Sequence, residues 1–206
     1  MGSLIMQKPY RAAMNGDWKN IIKHYQDRPM DLSFPVTLSE DTALPIAVYS
    51  KREQPLEDLL DIVKGTINLL PDIESTAREM ESPVFDIEST AREMESPVFD
   101  IESTAREMEF LKRTNKFGNT ALHEATICGN YEAVRLLVGR CPDLLKEKNI
   151  YGETPLFTAA AFGEADIVAF LLGSEPEQWV NDEFSLLEIH RKRKDGLSIL
   201  SAAIKG

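Results

Sequence analysis

His123, Cys128 and Cys141 are the side chains whose types would first suggest chemistry, as imidazole and thiolate ligands of a metal ion. A zinc site takes four tetrahedral ligands, with paired cysteines spaced as C-x(2–4)-C. Here only three ligands are present, and the two cysteines stand thirteen positions apart. His24 and His190 have no nearby cysteine, and neither sits in a metalloprotease motif. The chain has no G-x-G-x-x-G, no Walker loop and no nucleophile elbow. Its many carboxylates carry no information in so charged a surface. The sequence therefore assigns no catalytic, cofactor-binding or metal-binding residue. One basic run, Arg191-Lys192-Arg193-Lys194, reads either as a nuclear address or as solvated charge before a turn.

The elements that position these residues follow from composition and from an internal period. The chain has 206 residues, and 43% apolar content is enough for a core. Its net charge of −11 works against nonspecific nucleic-acid binding or attraction to anionic lipid. Two cysteines fit free thiols in a reducing, intracellular setting. Met1 to Tyr10 lacks a signal-peptide core, and no window approaches the ~18–20 apolar residues of a membrane helix.

Gly118, Thr120, Leu122, Ala125, Gly129, Val134 and Leu137 recur 34 positions later as Gly152, Thr154, Leu156, Ala159, Gly163, Val168 and Leu171. A fixed period of this size marks a stacked helical repeat. In each unit, glycine takes a turn and threonine caps a short first helix. A second glycine closes that helix in the left-handed region, and a second helix follows. The second helix of the first unit is predicted over Tyr131–Val138, ended by Gly139. In the next unit Pro155 sits at the first helical position, where its missing N–H costs nothing. One such pair cannot bury its apolar stripe, so neighbours must supply the other wall.

The runs Thr120-Ala121-Leu122-His123-Glu124-Ala125 and Thr154-Pro155-Leu156-Phe157-Thr158-Ala159 resemble the T-P-L-H-x-A motif of the ankyrin repeat. Tyr10–Asp17 resembles the A-x-x-x-G-D step of a first, capping repeat, with Trp18, Ile21 and Ile22 in its second helix. Thr42–Ala47 resembles the motif again, with Lys51 in the place of glycine, and Asp195–Ala203 opens a further unit. The wording is similar to plant ankyrin-repeat proteins of the accelerated-cell-death-like group, which carry a C-terminal membrane domain called PGG. That resemblance implies an all-α ankyrin solenoid of helix-turn-helix pairs with short hairpin loops. It implies that His123 braces adjacent turns by hydrogen bonds. It further implies a non-catalytic protein–protein interaction module without cofactor, acting in plant defence or stress signalling.

A tandem 14-residue repeat interrupts the array. Asp72–Phe85 recurs as Asp86–Phe99, and a third copy runs from Asp100 to Glu109. Each copy holds four acids and one arginine, so the three account for −9 of the net −11. Ile73, Met80, Ile87 and Met94 fall seven apart, but Pro83 and Pro97 break the seam of a coiled coil. The tract reads as three kinked helical pieces or a mobile loop, either neutral or an acidic docking or phosphorylation segment. The expected organisation is degenerate repeats over 1–71, the insertion over 72–109, and repeats over 110–206 with the last incomplete. An incomplete last repeat is expected to leave the apolar face from Ala159 to Leu172 poorly covered.

Ankyrin arrays bind proteins with their hairpin tips and the exposed face of each first helix. By resemblance the protein-binding residues are Lys116, Phe117, Asn119, Ile150, Tyr151 and Glu153 on the tips, with Glu124 and Thr158 on first helices. The expected partners are other proteins and not nucleic acid, in the cytoplasm. A membrane-anchored signalling head at the cytosolic face of the plasma membrane and a nuclear regulator are the alternatives. Trp179 and Phe184, in a ten-residue addition before the last unit, read as cover for an array end or a contact patch.

Overall fold

The computed structural model describes residues 7–69, 106–174 and 188–205, and their helices pair in chain order. Helix α1 (Gln7–Met14) pairs with α2 (Trp18–Asp27), and α3 (Ala43–Tyr49) with α4 (Glu53–Leu69). A short helix α5 at 106–111 leads into the pairs α6 (Ala121–Ile127) and α7 (Tyr131–Arg140), then α8 (Pro155–Ala161) and α9 (Ala165–Ser174). A single turn, α10 (Glu188–Arg191), precedes α11 (Ile199–Lys205). Among the described residues the one β-type pairing is an isolated bridge between Lys192 and Ser198.

Local chemistry sets the helix starts. The Thr120 and Thr154 hydroxyls accept from the N–H groups of His123 and Phe157, each at 3.4 Å. Thr42 precedes α3 without such a bond. Asp17 caps α2, and Asn130 caps α7 by accepting from the Ala133 N–H at 3.1 Å. The Asn130 amide also donates to the Val48 carbonyl at 2.9 Å, which ties the third helix pair to the second. Gly129 ends the first helix of its unit with φ +67°, as its place in the motif requires. Lys51 adopts the left-handed region in the same role, with φ 54°.

Two expectations need correction. Gly139 does not end α7, which runs on to Arg140 and is capped by Cys141 before a 3-10 turn at Pro142–Lys146. The apolar stripe continues through Val138, and Arg140 pairs with Asp61 on α4 and lies 3.6 Å from Glu107 on α5. Those contacts hold the last turn in helical form through a residue that by itself disfavours it. Nor is the face from Ala159 to Leu172 open. Ala159 and Leu171 are fully buried, with α11 packed on α8 and α9 packed on α8 and α7, while Phe162 and Leu172 stay 55% and 40% exposed. More fully uncovered apolar residues lie one element later, at Leu200 and Ile204 on α11.

One continuous core joins the pairs, running from Trp18 and Tyr25 through Leu44, Leu59, Leu122 and Leu137 to Leu171. Helix α5 is stitched into it by the buried Leu111 and by Lys112, which bonds Glu147 at 3.1 Å. Of the acidic tract only residues 106–109 are described, so its reading as helical pieces or loop lies outside the described residues, as do Trp179 and Phe184.

Candidate functional site

Four hairpin tips, at 37–41, 115–119, 149–153 and 193–197, stand edge to edge. The Lys116 N–H donates to the Ser39 carbonyl at 3.0 Å, Ile150 to Phe117 at 3.0 Å, and Lys194 to Tyr151 at 2.8 Å. Each tip is also closed by a side chain. Asn115 Oδ1 accepts from the Phe117 and Asn119 N–H groups, and Asn149 Oδ1 from those of Tyr151 and Glu153. Thr37 does this for the first tip, accepting from Ser39 and Asp41. Short polar side chains that bond their own backbone two residues on are the ordinary makers of such turns. Close stacking then demands glycine: a Cβ on Gly118 would lie 2.7 Å from the Ile150 nitrogen.

A second, buried ladder runs beneath the tips. The Asn115 amide donates to Asp41 Oδ1 and to Glu124 Oε1, both at 2.8 Å. Asn119 donates to the same Glu124 oxygen at 2.8 Å. Asn149 donates to Asn119 Oδ1 at 3.0 Å and Glu153 Oε2 at 2.9 Å, and Arg193 completes the series on Glu153 Oε1 at 3.0 Å. Every tip is therefore held to the next by both backbone and side chain.

The expected binding residues divide on this geometry. Lys116, Phe117, Ile150 and Tyr151 face solvent, with Phe117 38% and Tyr151 49% exposed on neighbouring tips. The Lys116 ammonium lies 5.0 Å from the Phe117 ring centre, in cation–π range. Asn119 and Glu124 are buried in the ladder. Glu153 keeps 14% of its side chain exposed and is engaged by Asn149 and Arg193. Thr158 is buried, and its hydroxyl meets that of Thr126 at 2.6 Å between α6 and α8.

His123 is fully buried and both of its ring nitrogens are occupied. The Thr120 N–H donates to Nδ1 at 3.2 Å, so Nε2 carries the proton and donates to the Glu153 carbonyl at 3.0 Å. Burial pushes its pKa down to about 4, against the raising effect of the Glu153 carbonyl. The ring is a neutral brace between two repeats. In the next unit Phe157 fills the same slot, and a residue with no assigned role supplies the missing nitrogen: His190 Nδ1 lies 3.1 Å from Thr154 Oγ1. The signal in the sequence is the phenylalanine itself, which cannot bond the capping threonine.

The remaining candidates for chemistry are also built into the fold. Burial raises the pKa of both the Cys128 and Cys141 thiols, which keeps them protonated at neutral pH. Arg193 and Lys194 of the basic run belong to the last tip, Arg193 bonded to Glu153 and Asp195. Among the described residues no group of three His, Cys, Asp or Glu side chains is placed to hold a metal ion. Among them too, no helix is long and apolar enough to cross a membrane.

Residues 103–182 match the family model for ankyrin repeats, in three copies. No curated protein matches the chain. A similar solved structure is the crystal structure of the yeast ribosomal protein Rps3 in complex with its chaperone Yar1, with a TM-score of 0.58 and 19% identity. The alignment covers 85% of this chain and 96% of that one. At that identity the similarity concerns the fold alone. Residues 103–182 are thus ankyrin repeats, and the helix pairs around them extend the same all-α repeat fold.

Proposed function

We propose that this chain is a protein-recognition scaffold whose hairpin tips carry the contact surface, with no chemical step of its own. The observation that supports it is the pairing of Phe117 and Tyr151. The Ile150 N–H to Phe117 carbonyl bond locks their tips together, yet both residues remain exposed, at 38% and 49%. Rigid aromatic side chains held in place before binding lose little freedom when a partner arrives, which makes them effective anchors. Lys116 and Ile150 extend the patch, while Asn119, Glu124, Glu153 and Thr158 hold it from behind. In this reading the array divides at the acidic tract, 72–109, and works in the cytoplasm. The resemblance to the plant group extends it to defence or stress signalling.

The test is the double variant Phe117→Ala/Tyr151→Ala, compared with the parent for cross-linking to partner proteins and for thermal melting. The proposal holds if a protein cross-linked through tips 115–119 and 149–153 is lost from the variant while the melting temperature stays within a few degrees. Unchanged cross-linking, or loss explained by unfolding, would defeat it.

A further inference from the structure

A cleft of about 940 Å³ opens between α1, α3 and the first tip, and it shares no residue with the Phe117–Tyr151 patch. Its walls include Tyr10, Met14, Leu38 and Tyr49, all exposed, over the buried Trp18. The apolar walls enclose one buried carboxylate. Asp41 lines the cleft at 5% exposure, its oxygens accepting from the Thr37 hydroxyl and the Asn115 amide, both at 2.8 Å. The same amide serves Glu124, 7% exposed, which also accepts from the Asn119 amide. Two carboxylates therefore lie side by side, and every group bonded to them is neutral. Buried charge of one sign without a counter-charge is costly, and it is the arrangement a cation from outside would relieve. Arg11, the one basic residue among the lining, is exposed, and no Lys or Arg among the described residues is bonded to either carboxylate.

We propose that this cleft takes a segment of a partner protein carrying an arginine or lysine among apolar residues. The cationic head is drawn toward Asp41, and its aliphatic stem lies along the Tyr10 and Tyr49 rings, which also attract cations through their faces. The apolar neighbours cover Met14 and Leu38. The inference rests on the recognition-scaffold reading but on a different set of residues, so either can fail alone.

The experiment is an amide NMR titration of the full chain with acetyl-Leu-Ser-Arg-Leu-amide and with its citrulline twin, which has nearly the same shape and no charge. The expected result is saturable shifts at Tyr10, the Trp18 indole and residues 37–41, with the arginine peptide at least fivefold tighter. Asp41→Asn removes that preference. Tyr10→Ala, on an exposed face, weakens both peptides without changing the melting temperature, so the proposal stays testable even if the Asp41 variant does not fold. Phe117→Ala leaves both titrations unchanged. Equal affinity for the two peptides, shifts centred elsewhere, or no saturation at millimolar peptide overturns the proposal. A tenfold gain for both peptides on removing residues 1–6 overturns it too, assigning the cleft to the chain's own leading segment. A dimer that Leu38→Glu dissociates assigns it instead to a second copy.

Discussion

Replacing His123 with phenylalanine puts into the third repeat the residue that the fourth already carries at Phe157. The phenyl ring is larger than imidazole, but Phe157 shows that the equivalent slot accepts it, so the change bears chiefly on the hydrogen bonds and the proton. At pH 7.5 the buried Thr120 N–H and hydroxyl both lose Nδ1 as a partner, and the Glu153 carbonyl keeps only its bond from the Asn149 N–H. Leaving one buried N–H unpaired and losing two ordinary bonds costs about 3–4 kcal/mol, part of it offset by the more apolar ring. Acid then acts on the two proteins differently. The His123 pKa is about 4 when folded and 6.5 in the open chain, so between these values the unfolded state binds the extra proton. The stability held by neutral His123 is complete above pH 6.5 and drains away as pH falls toward 4. From pH 7.5 to 4.5 that loss is about 2.5 kcal/mol, and the phenylalanine variant does not share it. Urea unfolding followed by circular dichroism at the two pH values gives the difference between the proteins, in which carboxylate titrations common to both cancel. The parent should lead by a few kcal/mol at pH 7.5 and by almost nothing at pH 4.5. A lead that stays constant within about 0.5 kcal/mol would show that His123 is not held neutral as its surroundings require.

Two glycines should respond in opposite ways in the same unfolding assay. Gly118→Ala, with φ +72° and the Ile150 backbone in the way, should destabilise by about 2–4 kcal/mol, whereas Gly139→Ala, in open space inside α7, should stabilise by up to about 1 kcal/mol. Lys51→Gly relieves a left-handed residue at φ 54°, and after the added freedom of glycine in the open chain it should raise stability by about 0.5 kcal/mol. Deleting residues 72–99, two copies of the tandem repeat, shortens a connection between helices that already approach, since Thr66 and Arg106 line one pocket. If the tract contributes only its length, shortening the connection from 36 to 8 residues should stabilise the array by about 1.3 kcal/mol. A loss of stability in calorimetry would mean that the tract makes contacts of its own.

The repeat and the local form of each unit are legible from spacing along the chain. Capping by Thr120 and Thr154, the turn at Gly118 and the left-handed exit at Gly129 depend on neighbours within about four positions, so spacing alone reveals them. Gly139 was misleading for a matching reason: a glycine ends a helix only if the backbone turns there, and contacts to Asp61 and Glu107, far away in the chain, decide that it does not. The tertiary structure alone decided which tip residues face out. Asn119 and Phe117 are both polar-turn neighbours on paper, yet the tips stack so that one joins a buried ladder and the other stays in water. That ladder links residues 30 to 74 positions apart, Asp41 to Asn115 among them across the whole acidic tract. Such pairs exist only once neighbouring repeats dock at a set rotation and rise, and no period in the sequence encodes which polar groups will then meet. The carboxylate beneath the Tyr10–Tyr49 cleft and the help His190 gives to Thr154 belong to the same class.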